Sequence, residues 1–148
     1  MNNKILFLAC FLISVSVIFA KPTEEIRLRY YGSDEGTVVD VSRGSIGNTA
    51  HNAKISDASL TETLKAKAVL QALLEGPTAE ERKSGIHSAI PEGTRLLSVT
   101  IRDGVVWADF SSDLVKDGFK DTQVDDISYA LAVTLKNAGD FAGVDFTI

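Results

Sequence analysis

The stretch "RLLSVTIRDGVVWADFS", Arg95 to Ser111, constrains this chain more than any other. Asp103-Gly104 between two β-rich runs marks a two-residue hairpin, because both central positions of such a turn need positive φ. The turn predicts the register Arg102 with Val105, Ile101 with Val106, Thr100 with Trp107 and Val99 with Ala108. The same count continues with Ser98 opposite Asp109 and Leu97 opposite Phe110. Directly paired residues share a face. One face is then wholly apolar: Leu97, Val99, Ile101, Val106, Ala108 and Phe110. The other is mixed, with Ser98, Thr100, Arg102, Val105, Asp109 and the single Trp of the chain, Trp107.

Around this hairpin the rest of the chain reads as a small α+β domain. "EEIRLRYYG" alternates, with Ile26, Leu28 and Tyr30 on one side of a strand and Arg27, Arg29 and Tyr31 on the other. "SDEG" turns the chain into a second short strand, "TVVDVSR". Gly44 to Ser59 is polar and rich in small residues, which predicts a surface loop. A helix follows with Ala66, Val69, Leu70, Leu73 and Leu74 as its apolar stripe, and Lys65, Lys67 and Gln71 off it.

The oddities after that helix are backbone punctuation. Gly76 suits a left-handed helix end and Pro77 cannot continue a helix. Thr78 with Glu81 forms a capping box that starts a short helical turn ended by Gly85. Pro91 forces Ile90 into an extended conformation, and Pro91-Glu92-Gly93 turns into the next strand. Beyond the hairpin, Ser111 to Thr122 is acidic and turn-like. A second helix spans about Gln123 to Ala138, with Val124, Ile127, Leu131 and Leu135 inward and Gly139 as its stop. "GVDFTI" closes the chain as a strand with Val144, Phe146 and Ile148 on one face. The expected fold is a single domain of order β-β-α-β-β-α-β, a mixed or antiparallel sheet with two helices packed on one face.

The amino terminus reads as an export signal. Lys4 precedes a sixteen-residue apolar block, Ile5 to Ala20, followed by a polar flank. Ala20 is a suitable small residue at the cut, although Ile18 is bulky for the position three back. The block is shorter than the ~20 residues that span a bilayer, which disfavours the alternative of an uncleaved anchor. Cys10 lies inside the block instead of ending it, so a lipid-modified cysteine does not fit. The expected organisation is a signal in residues 1–20 and a domain in 21–148 without cysteine. With Lys4 gone, 14 basic residues face 20 acidic ones, a net charge of −6. That balance argues against nucleic acid as a partner, which needs a basic footprint, and against insertion of the domain into anionic membrane.

Reaction centres are poorly supplied. His51 and His87 have no second ligand at helical or hairpin spacing, so no metal site is expected. "RGSIG" lacks the flanking glycines of a nucleophile elbow. As a calcium loop beginning at Asp113, the acidic stretch would place Val115 at position three and Val124 at position twelve, where ligands belong. No phosphate-cradling glycine motif occurs, and no carboxylate pair stands out. The expectation is no catalytic residue, no cofactor and no metal. A partner surface remains, built on Trp107 with Thr100 and Val105, since an exposed Trp is a common anchor; a covering loop is the plainer alternative for that Trp.

"VLQALLEGPTAEE" (Val69 to Glu81) and "GIHSAIPEGTRLLSVTIRDGVVWADFSSDL" (Gly85 to Leu114) together resemble the Germane family, the GerMN domain of sporulation and spore germination. The matching residues include Leu73-Leu74, Gly76-Pro77, Gly85, the Ala89-Ile90-Pro91-x-Gly93-Thr94 turn, Leu97, Asp103-Gly104 and Asp109-Phe110-Ser111. The resemblance spans Ile26 to Ile148 and is most specific from Leu73 to Ser111. It implies an exported α+β module similar to ring-building motifs, a non-catalytic binding or scaffolding domain at the cell envelope. The partners expected beside it are envelope proteins or, as the alternative, peptidoglycan, with a homo-oligomer as a further option. Many relatives are lipoproteins and the founding member carries two tandem copies; this chain has one copy and a misplaced Cys10. The rival functions are a cell-wall hydrolase and a small-ligand sensor.

Overall fold

The computed structural model describes residues 25–34, 36–43, 58–116 and 121–148. The expected signal segment, Cys10, His51, Ser45 and most of the predicted polar loop lie outside these residues. Among the described residues, five strands and three helices follow the expected order with one addition. They are β1 (Ile26–Tyr31), β2 (Val38–Arg43), α1 (Ala58–Leu74), α2 (Ala79–Lys83), β3 (Leu96–Arg102), β4 (Val105–Phe110), α3 (Asp121–Ala138) and β5 (Gly143–Thr147). A 3-10 turn, Ser112–Val115, lies between β4 and α3.

The hairpin turn is made as its residues require: Asp103 has φ 52° and Gly104 φ 77°. Pairing follows the predicted register from Arg102↔Val105 through Ser98↔Asp109. It then departs. Leu96, not Leu97, stands opposite Phe110, and a bulge occupies the step between Leu96 and Ser98. The extra residue is Leu97, turned to solvent at 57 % exposure, while Leu96 packs against the core. Two adjacent leucines leave the apolar pattern ambiguous by one position, and the bulge resolves it.

β5 adds to the hairpin in parallel with β4, pairing Val106 with Val144 and Ala108 with Phe146. The resulting sheet β3-β4-β5 is mixed, and α1 and α3 contact it and each other. Buried Val106, Ala108 and Phe110 meet Leu70 and Leu73 of α1 and Ile127, Leu131 and Leu135 of α3 in one core. Phe110 and Phe146 meet edge to face at 6.2 Å. Leu114 of the 3-10 turn also enters the core, so the acidic stretch is anchored by an apolar residue that its composition hid.

The single sheet expected from the sequence is in fact two. β1 and β2 form a separate antiparallel ribbon. The predicted inward residues Ile26, Leu28 and Tyr30 are all buried. The second edge of β1 is taken by groups from elsewhere. The Arg29 N–H donates to the buried Thr134 hydroxyl of α3 at 3.0 Å, and Tyr31 exchanges backbone hydrogen bonds with His87. A helix side chain and a loop thus fill a strand's place, because an unpaired buried backbone group is costly.

The punctuation between α1 and β3 behaves as expected. Gly76 and Gly85 have φ 74° and 85°, and a Cβ on Gly85 would come within 2.7 Å of Ser33 Cβ. Thr78 and Glu81 complete the capping box. Glu81 also grips Arg43 at the end of β2 with two contacts of 2.7 Å. The hydrogen bond from Arg43 is the main reason the Glu81 carboxyl is pulled down to about 2. Tyr30 lies next to this pair with its hydroxyl buried and, among the described residues, without a hydrogen-bond partner. Burial raises that phenol to about 12.

Several expected details shift. α1 begins at Ala58, inside the predicted loop, and α3 begins at Asp121. Val124 and Leu74 are only half-buried, and Ile148 is 54 % exposed. Gly139 follows the last residue of α3, but not in the left-handed conformation. Its requirement is space, since a Cβ there would meet the Phe141 ring at 2.8 Å.

Two stability outcomes follow from these contacts. Glu81→Gln should cost about 2 kcal/mol at neutral pH. Because the folded carboxyl titrates near 2 and its ordinary value is 4.5, the ion pair contributes fully above about pH 4.5. Its contribution is lost as the pH falls through 2. Urea melts of parent and variant should therefore converge over that window; a gap that persists at pH 2 contradicts the assignment. Thr134→Val keeps the shape of the side chain but orphans the Arg29 N–H, and should cost about 1–3 kcal/mol, read by the same melts.

Candidate functional site

With α1 and α3 on one side of the β3-β4-β5 sheet, the other side carries the mixed face of the hairpin. The parallel register of β5 completes that face, placing Asp145 beside Trp107, Thr147 beside Asp109 and Gly143 beside Val105. Three rows result: Arg102–Val105–Gly143, Thr100–Trp107–Asp145 and Ser98–Asp109–Thr147. Trp107 is at the centre and 40 % exposed. Ser98, Thr100, Arg102, Asp145 and Thr147 are exposed as well, while Val105 and Asp109 are half-buried.

The three residues singled out from sequence are thus brought together, with Thr100 directly across from Trp107 and Val105 two positions along its strand. Trp107 keeps 40 % of its surface open, and most of the polar loop named as the plainer alternative cover lies outside the described residues. The two acidic neighbours and Thr147 complete the surface, and Asp145 was not foreseen in it. Alternation in "GVDFTI" gives the face on which Asp145 lies, but nothing local says which strand β5 joins. The Thr147 hydroxyl donates to Asp109 Oδ1 at 3.2 Å. Among the described residues, no side-chain hydrogen bond engages Ser98, Thr100, Arg102 or Asp145, so their polar groups are available to a partner.

Other polar groups are occupied structurally. Asp113, at the start of the acidic stretch, accepts from the Ser111 hydroxyl at 2.8 Å and lies 3.8 Å from Arg95. His87 is exposed, with its ring 6.1 Å from that of Tyr31. Among the described residues, no three His, Cys, Asp or Glu side chains cluster as a metal site would need. An open groove of about 440 Å³ is lined by Gln71, Leu74, Glu75 and Thr94, of which only Glu75 is titratable.

A second exposed aromatic, Tyr129 on α3, was missed from sequence because it lies off the helix's apolar stripe. The Arg29 guanidinium lies 5.6 Å from its ring centre and also chelates Asp40 at 2.5 and 2.8 Å. Tyr31 donates its hydroxyl to the Asp126 carbonyl at 3.1 Å. Burial is the main cause that raises this phenol to about 12. This cluster ties α3 to β1 and its charges are internally matched.

Fold and surface together define a small α+β domain with one open, polar sheet face centred on an aromatic. The chain belongs to the Germane family, described as sporulation and spore germination, whose model matches residues 27–148. That description names a process and no reaction. Among solved structures, the chain is similar to the tandem GerMN domains of the sporulation protein GerM from Bacillus subtilis. That match has TM-score 0.53 and 20% identity over 84% of this chain, but spans only 38% of the tandem protein. The first GerMN domain of the same protein matches with TM-score 0.52 and 21% identity, covering 84% of this chain and 81% of that one. A Clostridium perfringens protein described as a lipoprotein matches with TM-score 0.51 and 18% identity, covering 82% and 73%. At these identities the likeness is one of fold. No curated protein matches the chain. Among the described residues, no helix is long and apolar enough to cross a membrane.

The exposure of Trp107 makes its removal mild for folding. Trp107→Ala should cost about 1 kcal/mol or less, whereas Phe110→Ala, on the buried face of the same strand, should cost about 3–5 kcal/mol. Urea denaturation followed by circular dichroism compares them; equal costs would make Trp107 a core residue.

Proposed function

We propose that this chain is an exported, non-catalytic contact module of the cell envelope, serving assemblies of the sporulation or germination type through its open sheet face. The observation that carries the reading is Trp107, 40 % exposed at the centre of a sheet face whose other side packs into the core with the helices. Exposed Trp is enriched at the energetic centres of interfaces. Export is supported by the signal-like amino terminus and by the fold shared with a protein described as a lipoprotein. A role in contact, not turnover, is supported by a family description that names a process and by the use of Arg29, Asp40, Arg43 and Glu81 as structural ion pairs. The net negative charge supports partners other than nucleic acid.

The test compares retention of the full chain on washed envelope fractions from its host. Trp107→Ala should lower retention about tenfold, as loss of one interface anchor predicts, while Tyr129→Ala, on the opposite flank, leaves it unchanged. Retention that ignores position 107, or turnover of peptidoglycan abolished by changing a single Asp, would overturn the reading.

A further inference from the structure

By itself the nine-position face around Trp107 is smaller and more polar than the core of a stable protein–protein interface. Strands ~4.8 Å apart and alternate residues ~6.8 Å apart give the nine positions a footprint of roughly 300 Å². A stable protein partner takes about 800 Å² from each side, around an apolar centre. One of the nine positions is Gly143, and of the eight side chains only Trp107 and Val105 are apolar. A larger docking area would have to include the flanks, and the exposed leucine of the bulge, Leu97, is turned out at the far end of β3 from the hairpin turn.

One aromatic plate ringed by short hydrogen-bonding groups is instead the chemistry that fits a sugar ring. A pyranose with equatorial substituents has an apolar C–H face and a rim of hydroxyls. An indole takes the first, and carboxylates and hydroxyls take the second. Asp145 is directly beside Trp107, with Asp109 two positions along β4 and Thr100 across from it. Carboxylates accept hydrogen bonds from sugar hydroxyls and amide N–H groups, and charge-assisted bonds of this kind are the stronger ones. Arg102, diagonal to Trp107, can donate to an amide carbonyl. Two carboxylates beside the indole disfavour an acidic sugar on it, which selects an uncharged ring.

Resting on the reading as an exported contact module, we propose that this face binds the glycan strand of the cell wall, taking an N-acetylated, β-linked hexosamine ring on Trp107 with Asp145, Asp109 and Thr100 at its rim. A single aromatic plate on an open sheet gives weak binding, with Kd on the order of 0.1–1 mM for a short oligosaccharide. A polymer repeats the same ring at high local concentration, so a weak site of this kind is well occupied on it.

Because Trp107 is the only Trp of the chain, its fluorescence reports this face alone. Titration of the full chain with N-acetylchitotetraose should give a saturable change in emission, and purified peptidoglycan sacculi should sediment the protein. Calorimetry should show Trp107→Ala losing at least tenfold in affinity and Asp145→Ala about fivefold, with both variants folded by circular dichroism. Cellotetraose, which lacks the acetamido groups, should bind more weakly. An unchanged emission together with no sedimentation would overturn the proposal, as would Trp107→Ala and Asp145→Ala binding as tightly as the parent. Tetrasaccharide binding without sacculus binding would overturn the cell wall as the source of the sugar. If envelope retention still depends on Trp107 while every sugar fails, the glycan falls and the contact module stands.

Discussion

The tight turn at Asp103-Gly104 decides which side of the hairpin the helices receive. Its two positive φ angles leave one pairing register, and a slip of one residue would exchange every inward side chain for an outward one. Val106, Ala108 and Phe110 are buried because of that turn, and Trp107 faces out for the same reason. The core and the open face are therefore two consequences of one backbone constraint.

The second constraint is the filling of strand edges. β5 completes the hairpin from the far end of the chain, while β1 takes its second set of partners from Thr134 and His87. This is how the five short strands among the described residues divide between two sheets and still close one core. The Arg43–Glu81 pair joins the smaller sheet to α2, with the capping box of α2 sharing the same carboxylate. One side chain thus serves a helix terminus and a cross-link between elements.

The surface that results has a chemistry unlike the core behind it. Asp109 and Asp145 bring acceptors to either side of an indole that a helix would have buried had the register been shifted by one. β5 matters most here. It supplies Asp145 and Thr147, and through Gly143 leaves one flank of the face without a side chain. A domain truncated before β5 would lose part of the site as well as Val144 and Phe146 from the edge of the core.

Local chemistry made much of this legible in the sequence. The hairpin register, the caps of α2, the Gly76 and Gly85 endings and the inward stripes of β1, α1 and α3 all depend on residues a few positions apart. Trp107, Thr100 and Val105 were readable as one face for that reason. Four things were not. The bulge at Leu97 needed a choice between two equally apolar neighbours, and the division into two sheets needed Thr134 to reach Arg29 across the chain. Asp145 joined the site only through pairing with a strand far away in sequence, and Gly139 answered to the Phe141 ring and not to its own φ. Local pattern fixes which way a side chain points from its own element; which elements meet is decided by packing and by the pairing of buried backbone groups, and those energies exist only once the chain has closed.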